Sequence, residues 1–178
     1  MAVMRMGYMH VKVTDLAEAK DHYANTVGLY QTYEEPGRVY FKGWDEWDHH
    51  SVVIEEGGVG FVRTGFKTEK PEDVAEIEAK AQAKGYPVSR FAAGSRPEVG
   101  DGITVTLPSG HEIDIYSYMT MYGTEVGTHN PDAFPRHMVG IGAPRLDHAL
   151  LWVPNVAESR EFFTDCIGMW AKIGRAHV

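Results

Sequence analysis

The chain repeats itself, and the repeat limits the fold more than any single element does. Gly7–Leu29 runs through a short strand, a polar turn, an apolar-faced helix, a glycine and an apolar residue, and Arg145–Met169 follows the same order. Asp15, Ala17, Glu18, Tyr23, Gly28 and Leu29 answer Asn155, Ala157, Glu158, Phe163, Gly168 and Met169, each at an offset of 140 (155 − 15). His10 answers His148 at an offset of 138 (148 − 10), so the later copy has two more residues in its turn. A shorter echo lies inside Gly7–Ser117, where strand, helix and three strands are followed by another helix and further strands. Repetition of whole supersecondary units implies an α+β chain with helices on one side of curved, mostly antiparallel sheets.

Local signals agree with this outline. Gly7–Val13 carries the branched residues of a strand. Thr14 or Asp15 can cap the helix that follows, where Leu16, Ala19, Tyr23 and Val27 form one apolar face and Gly28 supplies the stop. Strands are expected at Val39–Gly43, Ser51–Glu55 and Phe61–Lys67, each after a turn signal. Pro71 opens a second helix with acids in its first turn and Lys80 and Lys84 in its last, which suits the helix dipole. Two more strands, Gly102–Leu107 and His111–Ser117, flank the turn LPSG. Residues 118–144, rich in Gly, Pro, Met and Tyr, read as a connector.

Composition narrows the function. Hydrophobic residues make up 43% of the 178, which suits a packed domain and excludes wholesale disorder. No apolar run approaches the roughly 18–20 residues of a membrane helix, and Met1–His10 lacks the parts of a secretory signal. A single cysteine makes no internal disulfide, so cytoplasm is the expected compartment. With a net charge of −8 and no basic run, nucleic acid is disfavoured as a partner, and no membrane partner is expected.

Four stretches, MHVKVTDLAEAKDHYANTVGL, GRVYFKGWDEWDHHSVVIEE, LPSGHEIDIYS and NPDAFPR…RLDHALLWV, resemble the catechol 2,3-dioxygenases, type I extradiol enzymes of the vicinal-oxygen-chelate superfamily. The resemblance runs from about Gly7 to about Lys172. It implies tandem βαβββ modules in a curved mixed sheet with helices outside. It assigns 1–117 to a metal-free N-terminal domain, 118–144 to the connector, and 145–172 to the first strand and helix of a truncated C-terminal catalytic domain. Residues 173–178, IGRAHV, are what a common sequencing adapter encodes, and are expected to be a non-native tail.

The activity implied is extradiol (meta) cleavage of catechol or a substituted catechol by dioxygen to a 2-hydroxymuconic semialdehyde-type product, in aromatic degradation. The family is expected to form homo-oligomers. It holds Fe(II) with two histidines and a glutamate, a face that leaves positions for two vicinal oxygens and dioxygen. The resemblance makes His148 the first of these ligands. The second histidine, the glutamate and the acid–base residues all fall after the last residue of the sequence, so no catalytic residue is expected within it, and the fragment is expected to be inactive and to retain iron poorly.

Other readings stay open. A biphenyl-2,3-diol type dioxygenase is chemically close. A glyoxalase-like metalloenzyme takes ligands from both modules, but the first module offers His10, a position near Val62 or Arg63, and Asp114, and the middle position holds no ligand. A metal-free binding or assembly module is the alternative of another class. His10 reads as structural, His49 and His50 as part of a polar turn, and His22, His129 and His137 as exposed. Glu112 and Asp114 share one side of a strand, and Asp114 reads as an inert relic of a ligand position. Cys166, Phe162, Phe163, Met169 and Trp170 read as core, deprived of part of their packing surface.

Overall fold

A computed structural model describes residues 3–123 and 135–171. The proposed tail, His129 and part of the connector lie outside the described residues. Eight strands form one mixed sheet: β1 (Val3–Val13), β2 (Tyr30–Glu35), β3 (Arg38–Lys42), β4 (Val52–Glu56), β5 (Gly60–Thr68), β6 (Val88–Phe91), β7 (Gly102–Thr106) and β8 (Glu112–Tyr116). Their order is β2-β3-β4-β1-β5-β8-β7-β6. β1 runs parallel to β4 and β5 parallel to β8, while β1 and β5 meet antiparallel. Each half is therefore one βαβββ module, and the two join along β1 and β5.

The helices cover one face. α1 (Leu16–Asp21, continuing as a π-helical segment His22–Val27) lays Leu16, Ala19 and Tyr23 on Val39, Phe41, Val52 and Ile54. α2 (Pro71–Ala83) places Ile77 and Ala81 on Phe66, Ile103, Val105 and Ile115. Burial of each such aliphatic or aromatic side chain is worth about 1.5–3 kcal/mol. Strand alternation sends Tyr8, Tyr40, Val53 and Tyr116 to the opposite, open face, where they form a smaller cluster with Val99 and Met119, which lie outside the strands.

The 140-residue repeat is copied in the backbone. α3 (Val156–Glu161) also passes into a π-helical segment, Phe162–Cys166, and the switch begins at His22 in one copy and Phe162 in the other. Asp15 caps α1 by accepting from Glu18 N, and Asn155 caps α3 by accepting from Ala157 N and Glu158 N. Gly28 and Gly168 follow with φ of 79° and 75°. At Gly28 a side chain is excluded twice over, by that left-handed φ and by Val139 O, which would lie 2.0 Å from a Cβ.

Several expectations need correction. No strand forms over the stretch RLDHALLWV, because no described residue after Pro144 supplies a partner for its N–H and C=O groups. β2 and β6 were not anticipated. The described parts of the connector are ordered against the first module: Ile141 N donates to Thr26 O, Ala143 N to Val27 O, and Trp44 Nε1 to Gly142 O. Met119 is buried beneath the open face. Phe162 and Cys166 do join the core on α2 and Phe163 packs on its edge, but Trp170 is 93% exposed, since the described residues provide nothing for it to pack on.

Candidate functional site

Register brings the chemistry of the open face into rows. Tyr40 on β3 stands opposite Val53 on β4, Val53 opposite His10 on β1, His10 opposite Arg63 on β5, and Arg63 opposite Glu112 on β8. The neighbouring row runs from Tyr8 through Gly65 and Asp114 to Thr104. Gly65 is required there because a Cβ would sit 2.3 Å from the Tyr8 ring. The three positions singled out in the first module thus do converge on adjacent central strands, and the middle one is Arg63.

Arg63 makes this a charge-balanced polar cluster. Its guanidinium lies 2.9 Å from Glu112 and 3.6 Å from Asp114. Asp114 is fully buried and accepts from Tyr8 Oη (2.5 Å), Thr104 Oγ1 (2.6 Å) and Arg96 Nε (3.1 Å). A buried carboxylate with this many donors is held in place by them. Burial and the Asp114 carboxylate push the Tyr8 phenol well above its usual range, so it stays a proton donor.

His10 is 8% exposed, and its Nε2 lies 3.1 Å from Glu55 Oε2 without a well-aligned hydrogen bond. Burial lowers its pKa to about 4, with Glu55 pulling the other way and Arg38 and Arg63 adding to the fall. The ring is therefore neutral at neutral pH. His49 and His50 lie in the connection between β3 and β4, as expected, and are buried there: their Nδ1 atoms lie 3.0 Å apart, and Tyr8 and Tyr40 pack on the His50 ring. Trp44, buried in the same connection, is the sequence signal of burial, whereas Trp47 is exposed. Burial takes His50 down to about 3.

His148 stands apart from all of these. Its side chain is 87% exposed, and Nδ1 is 3.0 Å from Asp147 Oδ2. With Asp147 it borders a hollow of about 430 Å³ lined mainly by apolar groups, among them Met6, Phe66, Leu151 and Phe163. Among the described residues no three His, Cys, Asp or Glu side chains come together to hold a metal. The described residues therefore do not by themselves form a complete extradiol metal centre: the first module has an arginine at its middle position, and among the described residues His148 is paired with the Asp147 carboxylate.

Glu46 was missed by the sequence reading. It is buried, accepts from Gly43 N and Ser51 Oγ, and its other oxygen accepts from Leu146 N at 3.2 Å. The carboxylate thereby fixes the chain two residues before His148.

Residues 63–120 match the catechol 2,3-dioxygenase-like N-terminal domain family. The metapyrocatechase of Pseudomonas sp. (strain CF600) is 32% identical over 175 residues, spanning 94% of this chain and 56% of that protein. The crystal structure of the 2,3-dioxygenase LapB from Pseudomonas sp. KL28 superposes with a TM-score of 0.87 at 37% identity, over 93% of this chain and 59% of LapB. The chain's homologues are extradiol ring-cleaving dioxygenases.

A more distant homologue is the manganese-dependent 2,3-dihydroxybiphenyl 1,2-dioxygenase of Geobacillus genomosp. 3, 24% identical over 93% of this chain and 54% of that enzyme. The chain spans about half the length of the curated relatives it matches. The eight-stranded mixed sheet with helices on one face is the architecture shared with these extradiol neighbours. No helix among the described residues is long and apolar enough to cross a membrane.

Proposed function

We propose that these residues are the N-terminal part of a metal-dependent extradiol dioxygenase that opens catechol or a substituted catechol with dioxygen, and that His148 is its first metal ligand. The likeness to LapB over 93% of the chain carries this reading. His148 supports it by its placement: it is the repeat-mate of His10, and it is held out on a segment anchored by Glu46. The first module contributes scaffold, since Arg63 and its carboxylates occupy the matching face.

The metal is Fe(II) in this proposal, and Mn(II) is the second reading, favoured by the manganese-dependent homologue. With one donor placed, the 178 residues alone hold either ion weakly and open no ring. The test continues this chain with the C-terminal part of the Pseudomonas metapyrocatechase and supplies Fe(II) or Mn(II), catechol and air. The fusion should give the yellow ring-opened semialdehyde and the unextended chain should not. A folded, metal-loaded fusion that leaves catechol intact, or turnover by the unextended chain, contradicts the proposal.

A further inference from the structure

The open face holds a hollow of about 240 Å³, apart from the one bordered by His148. Its described lining brings together Lys12, Arg38, Arg63 and Arg96, four cationic side chains, with Glu55 as the carboxylate among them. The other counter-charges sit outside the lining: Arg38 also meets Glu35, Arg63 meets Glu112 and Asp114, and Arg96 meets Asp114. Within the lining, Glu55 pairs with Arg38 at 2.6 Å. One buried donor points to a missing partner, because Arg63 Nε makes no hydrogen bond to protein, while His10 Nε2 faces the Glu55 carboxylate at 3.1 Å without a well-aligned bond. A buried donor without an acceptor is costly, and a ligand that accepts from it removes the cost.

The rest of the lining is aromatic and partly apolar. Tyr8 and Tyr40 pack against His50 with ring centroids 5.4 Å and 5.0 Å away, and Val53, Val62 and Pro97 complete the surface. The volume lies below the range usual for drug-sized ligands and suits a single ring. Guanidinium forks match a planar carboxylate in two parallel hydrogen bonds. A phosphate would meet the cations but leave the surface of Tyr40, Val53 and Val62 unfilled.

We propose that this hollow binds a small aromatic carboxylate, its carboxylate held by Arg38, Arg63 and His10 Nε2–H and its ring against Tyr40 and Val53. The site lies in the first 117 residues and needs neither metal nor turnover, so it stands or falls independently of the dioxygenase reading.

The 178-residue chain is titrated by calorimetry with benzoate, benzamide and inorganic phosphate, while NMR follows the His10 ring. Benzoate should bind one per chain, at least about tenfold more tightly than either control, because a charge-assisted pairing is lost with the amide and the ring contact with phosphate. The carboxylate should also raise the pH at which His10 takes up a proton. Arg63→Gln should weaken benzoate by about tenfold or more. Arg63 also partners Asp114, so Arg38→Gln, at the half-exposed rim, is the second variant and should weaken it similarly. Benzamide binding as tightly as benzoate, phosphate binding where benzoate does not, or unchanged binding in a folded Arg38→Gln protein overturns the proposal.

Discussion

His10 and His148 occupy matching places in two copies of one pattern, and their surroundings are opposite. The strand around His10 is hydrogen-bonded on both sides, by β4 and by β5, and its side chain is 10% exposed. The stretch around His148 has no ladder among the described residues, and its imidazole is 87% exposed. The helices that follow are nonetheless copies down to the cap, the π-helical switch and the closing glycine. A helix satisfies its backbone within itself, whereas a strand is made by its neighbours. The comparison separates what a segment encodes locally from what it borrows.

The difference is open to direct attack, beginning with the helices. Phe162 is fully buried and meets Tyr86 edge to face, so Phe162→Ala should cost about 3–5 kcal/mol in urea unfolding. A loss near zero would mean that α3 is not part of the cooperative core, and the second copy would then differ from the first in its helix as well as its strand.

The buried histidines give the next largest effect. Unfolded, His10 and His50 titrate near the ordinary 6.5; folded, they titrate at about 4 and about 3. Below 6.5 the unfolded chain takes up protons that the folded rings refuse. Their contribution is complete above 6.5 and is lost as pH falls toward those lower values, by on the order of a few kcal/mol together. Urea midpoints measured across that window should show the loss, and His50→Gln should flatten the slope. An unchanged slope would mean that His50 is not held neutral by burial.

The smallest effect is expected on the other side of the comparison. His148→Ala should change unfolding free energy by no more than about 0.5 kcal/mol, as substitutions at exposed positions usually do. A larger loss would show that the imidazole is packed, and would erase the contrast with His10.

These contrasts also show what was legible in the sequence. The helices were readable because Asp15, Asn155, Pro71, Gly28 and Gly168 mark their ends locally. Central strands such as Val52–Glu56 carried enough apolar residues to be seen. The edge strands β2 (YQTYEE) and β6 (VSRF) lie at the two borders of the sheet and carry mostly polar or half-exposed residues, so their identity comes from pairing with β3 and β7. The lack of a ligand-type residue at the middle position of the first module was legible at Val62 and Arg63. That Arg63 supplies the cation between Glu112 and Asp114 needed the β5–β8 register. Trp170 reads as core by composition, but it is exposed because core membership depends on a facing surface.

The central claim is that of two matching histidines, one belongs to scaffold and the other to the reaction. In the fusion with the metapyrocatechase C-terminal part, loaded with metal and supplied with catechol and air, ring opening is measured for His148→Ala and His10→Gln side by side. Loss of His148 should lower turnover by more than about a hundredfold, beyond what loss of a mere supporting contact to a metal ligand costs, and metal content should fall with it. His10→Gln should leave turnover within a few-fold, at about the same metal content. Full activity in His148→Ala, or a collapse of activity and metal content in a folded His10→Gln protein, would contradict the account.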